Sequence, residues 1–172
     1  VYVKGQFGEE ILHIFVNHWP SNYGGREQAI PKRAETARFV REKVEKILNE
    51  DPKAEILLMG DFNEGPNEQN IQYLAKDILI NLMEPFIGKK GVGTYVYRGQ
   101  DSLLDQFIAS SGLLDDKGLK IEDNAVSILD LPKYRQQRGK YQHYPFRFWA
   151  GEKLLGGYSD HLAISVEINL IQ

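Results

Sequence analysis

The chain has 172 residues, 42% of them hydrophobic and 26% charged, with a formal net charge of −3. This is globular composition for one domain with a real core, which excludes a disordered chain and a global electrostatic grip on nucleic acid. The absence of cysteine excludes disulfides, thiolate zinc sites, iron–sulfur clusters and a cysteine nucleophile, and no apolar run approaches the roughly 18 residues of a membrane span.

The chain opens in strand-like sequence, Val1 to Lys4, without Met or a signal-peptide pattern. A segment upstream is therefore expected to have been removed or left out, and localisation is unassigned. Gly5 to Gly8 reads as a turn, and Ile11 to Asn17 as a dense β-prone run buried on both faces, closing a hairpin. A loop follows from His18 to Gly25. From Pro31 a helix is predicted, because Ala34, Ala37, Val40, Val44, Ile47 and Leu48 recur at helical spacing with charges of both signs opposite. Asp51-Pro52 ends it. Glu55 to Met59 predicts a short strand running into Gly60-Asp61-Phe62-Asn63, and Pro66-Asn67 opens a second helix to about Ala75. Strands are predicted at Thr94–Arg98, Leu103–Ala109, Ala125–Leu129 and Leu162–Ile168, with an irregular stretch at 133–158. Helices alternate with strands early and strands dominate later, so the class is α/β or α+β in a single domain without repeats.

Four polar features stand at strand ends or inside strands. They are His18, the Asp61/Asn63 pair, Asp105 within Leu103–Ile108, and Ser159-Asp160-His161 before the last strand. Asp105 is the most informative, because a charge in an apolar strand costs several kcal/mol unless it is paired. Each has a bland reading: Asp and Asn bond their own backbone in turns, and a histidine or aspartate can be satisfied by a backbone group. Together they supply three carboxylates, one amide and two imidazoles, the inventory of metal-assisted phosphate chemistry. Zinc fits poorly. His13 and His18, five apart on a strand, point to opposite faces.

Through Asn17-His18-Trp19-Pro20-Ser21, Gly60-Asp61-Phe62-Asn63, Leu104-Asp105-Gln106-Phe107 and Ser159-Asp160-His161 the sequence resembles the endonuclease/exonuclease/phosphatase superfamily, the deoxyribonuclease-I-like fold. The resemblance implies part of a four-layer αββα sandwich, mainly its second sheet with the outer helices. It implies that Asp61 orients or deprotonates the attacking water and that Asn63 holds this aspartate and a phosphate oxygen. His161 then contacts the scissile phosphate, oriented by Asp105, Asp160 serves Mg²⁺ (or Mn²⁺) or its water, and His18 contacts phosphate. On this resemblance residues 1–172 are expected to be the carboxyl-terminal part of one such domain, without the early segment that carries the family's main metal-binding glutamate. The inner sheet face is accordingly expected to be covered by a dimer partner or by an amino-terminal segment.

Residues 133–158 interleave Lys133, Arg135, Arg138, Lys140, Arg147 and Lys153 with seven aromatics. Arg135, Arg138 and Lys140 are expected to touch substrate, while Phe146, Phe148 and Trp149 are expected to pack over the sandwich edge. The implied function is a metal-dependent hydrolase of phosphoesters: a nucleic acid, a phosphoinositide, a sphingophospholipid or a small phosphoester. The alternative is a non-catalytic fragment or binding module that retains the fold.

Overall fold

A computed structural model describes residues 1–171. In chain order the elements are β1 (Tyr2–Phe7), β2 (Glu10–His18), α1 (Arg26–Glu50), β3 (Glu55–Asp61), α2 (Gln69–Ala75), β4 (Ile80–Asn81), β5 (Tyr95–Tyr97), β6 (Gln100–Ser102), β7 (Asp105–Ala109), β8 (Leu119–Lys120), β9 (Val126–Ile128), β10 (Trp149–Ala150), β11 (Lys153–Leu154), β12 (Ile164–Val166) and β13 (Asn169–Leu170). The class is mixed α+β.

One sheet organises the molecule, with strand order β1-β2-β3-β7-β4. β2 and β3 run parallel, joined through α1, and the other pairs are antiparallel. α1 and α2 cover one face. Phe15, Ile56, Leu58 and Ile108 from the sheet pack there with Ala37, Val40 and Val44 of α1 and Ile71 and Leu74 of α2. The periodic stripe read from the sequence is this buried face. The helix begins earlier than expected, at Arg26, and Pro31 lies inside it, where the missing N–H removes one backbone bond.

On the opposite face the chain covers part of its own sheet. Leu12, Leu57, Phe107 and Ala109 are buried against Leu113, Leu119 and Ile121, and the short strands β9 and β12 pack at the margin through Val126, Ile128, Ile164 and Val166. The middle of the face expected to need a dimer partner or an amino-terminal segment is thus covered by the chain's own later segments. Coverage fails towards β1, where Val3 and Phe7 are about half exposed and Val16 is 40% exposed. β2 is therefore not buried on both faces along its length. The hairpin turn also differs. β1 continues to Phe7, and Gly8 takes the left-handed conformation (φ 65°) in a two-residue connection. The last alternating segment, expected over Leu162–Ile168, is strand only at β12, and β13 follows beyond it. Among the described residues no helix is long and apolar enough to cross a membrane.

Candidate active site

Three adjacent strands each place one polar residue in a single row. His18 of β2 is the partner of Asp61 of β3, and Asp61 is the partner of Asp105 of β7. Cross-strand partners share a face. By alternation this row continues the face of Leu57, Met59, Phe107 and Ala109, away from the helices. His13 falls on the other face, where its Nδ1 lies 2.7 Å from the Tyr2 hydroxyl.

Gly60 makes the approach to the row possible. Its φ is 122°, and a Cβ there would stand 2.1 Å from the Asn17 carbonyl oxygen, so no side chain fits. The turn that follows is closed from both sides. The Trp19 N–H donates to the Asp61 carbonyl and the Phe62 N–H to the Leu104 carbonyl, each at 2.9 Å. Asn63 sits at φ 51°, which asparagine tolerates. Its backbone N–H donates to Asp61 Oδ1 (2.8 Å), and its Nδ2 donates to Asp61 Oδ2 (2.9 Å) and to the Trp19 carbonyl (3.0 Å). Turn chemistry and site geometry are thus the same bonds: the Asx turn aims the carboxylate. Trp19 and Phe62, both buried, pack edge to face beneath it at 5.0 Å.

His161 reaches the row from the segment before β12. Its Nδ1 lies 2.7 Å from Asp105 Oδ2, and its ring packs on Tyr95 with centroids 4.8 Å apart. Thr94 holds both members of this pair. Its Oγ1 accepts the Leu104 and Asp105 N–H groups, each at 3.1 Å, and its carbonyl accepts the Leu162 N–H at 2.7 Å. Nothing in the sequence distinguished Thr94, a lone threonine at a strand start.

Electrostatics follow from this packing. Burial pushes the Asp61 carboxyl above its ordinary value, and the neighbouring Asp105 charge adds to that. The Asn63 N–H and the two imidazoles pull it down, but by less. For His161, burial pulls the imidazole down, yet the bond to Asp105 and the charges of Asp105, Asp61 and Asp160 outweigh it, and the net shift is upward. One ligand atom each from Asp61, Asp105 and His161 lies within 4.8 Å of the others. Of these only the two carboxylates offer the oxygens that a hard divalent cation takes, since the imidazole is bonded to Asp105 through Nδ1.

The other expected residues are placed as follows. His18 is largely exposed, with Nε2 3.7 Å from Asp61 Oδ2. Asp160 is half exposed and outside the compact trio, 3.9 Å from Arg147 Nη2. The Arg135 guanidinium is held by Asp130 in a two-point pair (2.7 and 2.9 Å) and by the His143 carbonyl. Arg138 and Lys140 are exposed, Lys140 over the Tyr141 ring. Phe148 and Trp149 are about half exposed and do not pack as expected. Trp149 opens β10 and Phe148 precedes it, at a hairpin of two-residue strands that neither core cluster reaches.

A sequence profile described as "Endonuclease/Exonuclease/phosphatase family" matches residues 1–170. The chain belongs to this family. A search of curated proteins finds no match. Solved structures share the fold at low identity. Humanized D. rerio TDP2 superposes with a TM-score of 0.61 at 17% identity, over 98% of this chain and 59% of that one. D. rerio TDP2 complexed with single strand DNA product gives 0.60 at 16%, over 98% and 60%. A Bacteroides thetaiotaomicron mannosyl-6-phosphatase gives 0.54 at 20%, over 94% and 51%. The chain thus spans between half and three-fifths of the length of these solved structures.

Proposed function

We propose that this chain carries the water-activating and phosphate-binding half of a divalent-metal-dependent phosphoester hydrolase. The observation that carries the reading is the Asp105–His161 pair at 2.7 Å, set beside Asp61 on one row of strand ends. A carboxylate bonded to Nδ1 fixes the imidazole and leaves Nε2 for a substrate oxygen.

The chemistry then runs as an in-line displacement. Asp61, aimed by Asn63 and made more basic by burial, takes a proton from the attacking water. The water oxygen bonds to phosphorus as the ester P–O bond breaks. His161, whose protonated form its carboxylate neighbours favour, neutralises charge on a phosphoryl oxygen or gives its proton to the leaving oxygen. His18, exposed beside Asp61, contacts the phosphate. A divalent cation, Mg²⁺ or Mn²⁺, would draw on the exposed Asp160 carboxylate, directly or through water, beside the carboxylates of the row. When bound it supplies positive charge against the transferring phosphoryl group. Arg138 and Lys140 are free at the surface for the substrate's remaining charge, whereas Arg135 is already engaged.

The substrate class is a phosphoester. The names of the structural relatives, a single strand DNA product complex and a mannosyl-6-phosphatase, bracket diesters and monoesters. The test is hydrolysis of a diester and monoester panel by the intact protein with Mg²⁺ and with excess chelator. Turnover with Mg²⁺ that chelator abolishes is expected. Equal turnover in chelator, or none on any phosphoester, overturns the reading.

A further inference from the structure

Beneath the site runs a buried polar chain that the chemistry above does not use. Arg33 of α1 and Glu64, three residues beyond Asp61, are 0% and 1% exposed. Arg33 Nε donates to Glu64 Oε1 at 2.7 Å. Its Nη1 donates to the Pro20 carbonyl (2.9 Å) and to Asn22 Oδ1 (3.0 Å). One guanidinium therefore joins the loop that follows His18 to the loop that carries Asp61 and Asn63. Glu64 continues the chain. Its Oε1 also accepts from Asn70 Nδ2 (2.9 Å), and its backbone carbonyl accepts from Gln106 Nε2 (2.5 Å), next to Asp105. Gln106 Oε1 in turn accepts from Asn81 Nδ2 at 2.6 Å. All three row-bearing segments are tied to this one network.

Resting on the hydrolase reading, we propose that Arg33 and Glu64 are positioning residues: a buried ionic clamp that sets the loop after β2 against the loop after β3, and so the reach of His18, Asp61 and Asn63 towards one phosphate. Stability alone does not account for the pair. A buried ion pair gains little over apolar residues of similar volume, and this one leaves Arg33 Nη2 and Glu64 Oε2 without protein partners among the described residues. What the pair supplies is direction. The planar guanidinium presents donors in a fixed fork, and here the fork ends on two different loops. The site-side bonds between the same loops, Trp19 to Asp61 and Asn63 to Trp19, hold their tips. The clamp holds their bases.

The test uses two variants of the intact protein. Arg33→Met/Glu64→Met removes both charges at similar volume, and Arg33→Lys keeps the cation but loses the fork. In each, amide exchange is followed by mass spectrometry over residues 19–22 and 61–64, with kcat and KM measured separately on a phosphoester. The expected result is faster exchange confined to those two loops, with kcat down about tenfold or more and KM within about twofold. Unchanged loop exchange and unchanged kcat in a folded variant overturn the clamp, as does faster exchange spread evenly over the sheet. If the double variant does not fold, Arg33→Lys is judged by the same outcomes. If the unsubstituted protein hydrolyses no phosphoester, it is the hydrolase reading that fails, and the exchange pattern alone decides the clamp.

Discussion

The two faces of the central sheet do different work with similar residues. On the helix face the apolar side chains are sealed, with Ile56, Leu58 and Ile108 all 0% exposed, and the polar groups beneath them are locked into the Arg33–Glu64–Gln106 network. On the other face a smaller core around Leu57 and Phe107 gives way to His18, Asp61 and Asp105 at one end and to half-exposed Val3, Phe7 and Val16 towards the β1 edge. A carboxylate buried like Glu64 can orient its neighbours but cannot meet substrate. One half-buried like Asp61 can do both, because packing raises its pKa while one side stays open. Access separates support from chemistry on this sheet.

The largest effect expected is at the junction of the two faces. Gly60→Ala places a methyl on the Asn17 carbonyl at a left-handed φ and should cost about 3 kcal/mol or more, read as a fall in denaturant midpoint. A near-neutral result would mean that β2 and β3 are not packed as closely as the site requires. Next, Ile56→Ala on the sealed face should cost about 3 kcal/mol. If it costs as little as a substitution near the β1 edge, the contrast between the faces collapses.

On the open face, Asp105→Ala should lower turnover of the intact protein about 10²-fold, roughly 2.7 kcal/mol, with little loss of stability. Wild-type-like turnover would remove the dyad from the mechanism.

The pH dependence sharpens the same contrast. In the proposed mechanism Asp61 acts ionised, and its pKa is raised, so the acid limb of the rate profile should lie above the ordinary carboxylate range. In the same mechanism His161 acts protonated, and its pKa is raised, so activity should persist beyond about pH 6.5 before it falls. The stability linkage has the same sign. A folded pKa raised above the unfolded one gives His161 a contribution that is full below about pH 6.5 and lost as pH rises through its folded value. Chemical denaturation across neutral pH should show that loss, and His161→Gln should flatten it. The smallest effect is Val16→Ala, expected within about 0.5 kcal/mol in this chain by chemical denaturation, because the side chain is already 40% exposed.

Much of the site was legible because it broke local rules. Asp105 inside an apolar strand announced a partner, and Gly-Asp-Phe-Asn after a short strand announced an aimed loop. Both are statements about neighbours in sequence, where alternation and turn chemistry act. α1 was legible for the same reason, since a helical stripe is a local period. Arg33 is, in sequence, one more charge on an amphipathic helix, yet it is buried. Its spacing of four from Ala29 and Ala37, both buried, is the signal that places it on the inner stripe. Arg135 read as a free cation because its partner Asp130 and the His143 carbonyl lie across an irregular loop that no periodicity describes.

The sequence by itself determined the elements that repeat at 3.6 or 2 residues, the strand-end placement of His18 and Asp61, and residue types suited to a phosphoester; that Asp105 opens its strand rather than lying inside it came from the structure. Only the tertiary structure decided the lateral order β1-β2-β3-β7-β4, which brings those three into one row, and the arrival of His161 at Asp105 from 56 residues away. Only it decided which charges are spent inside the fold. The physical reason is range: propensity, alternation and capping act over a few residues, whereas register across strands, burial of an ion pair and desolvation of a carboxylate depend on what other parts of the chain pack alongside.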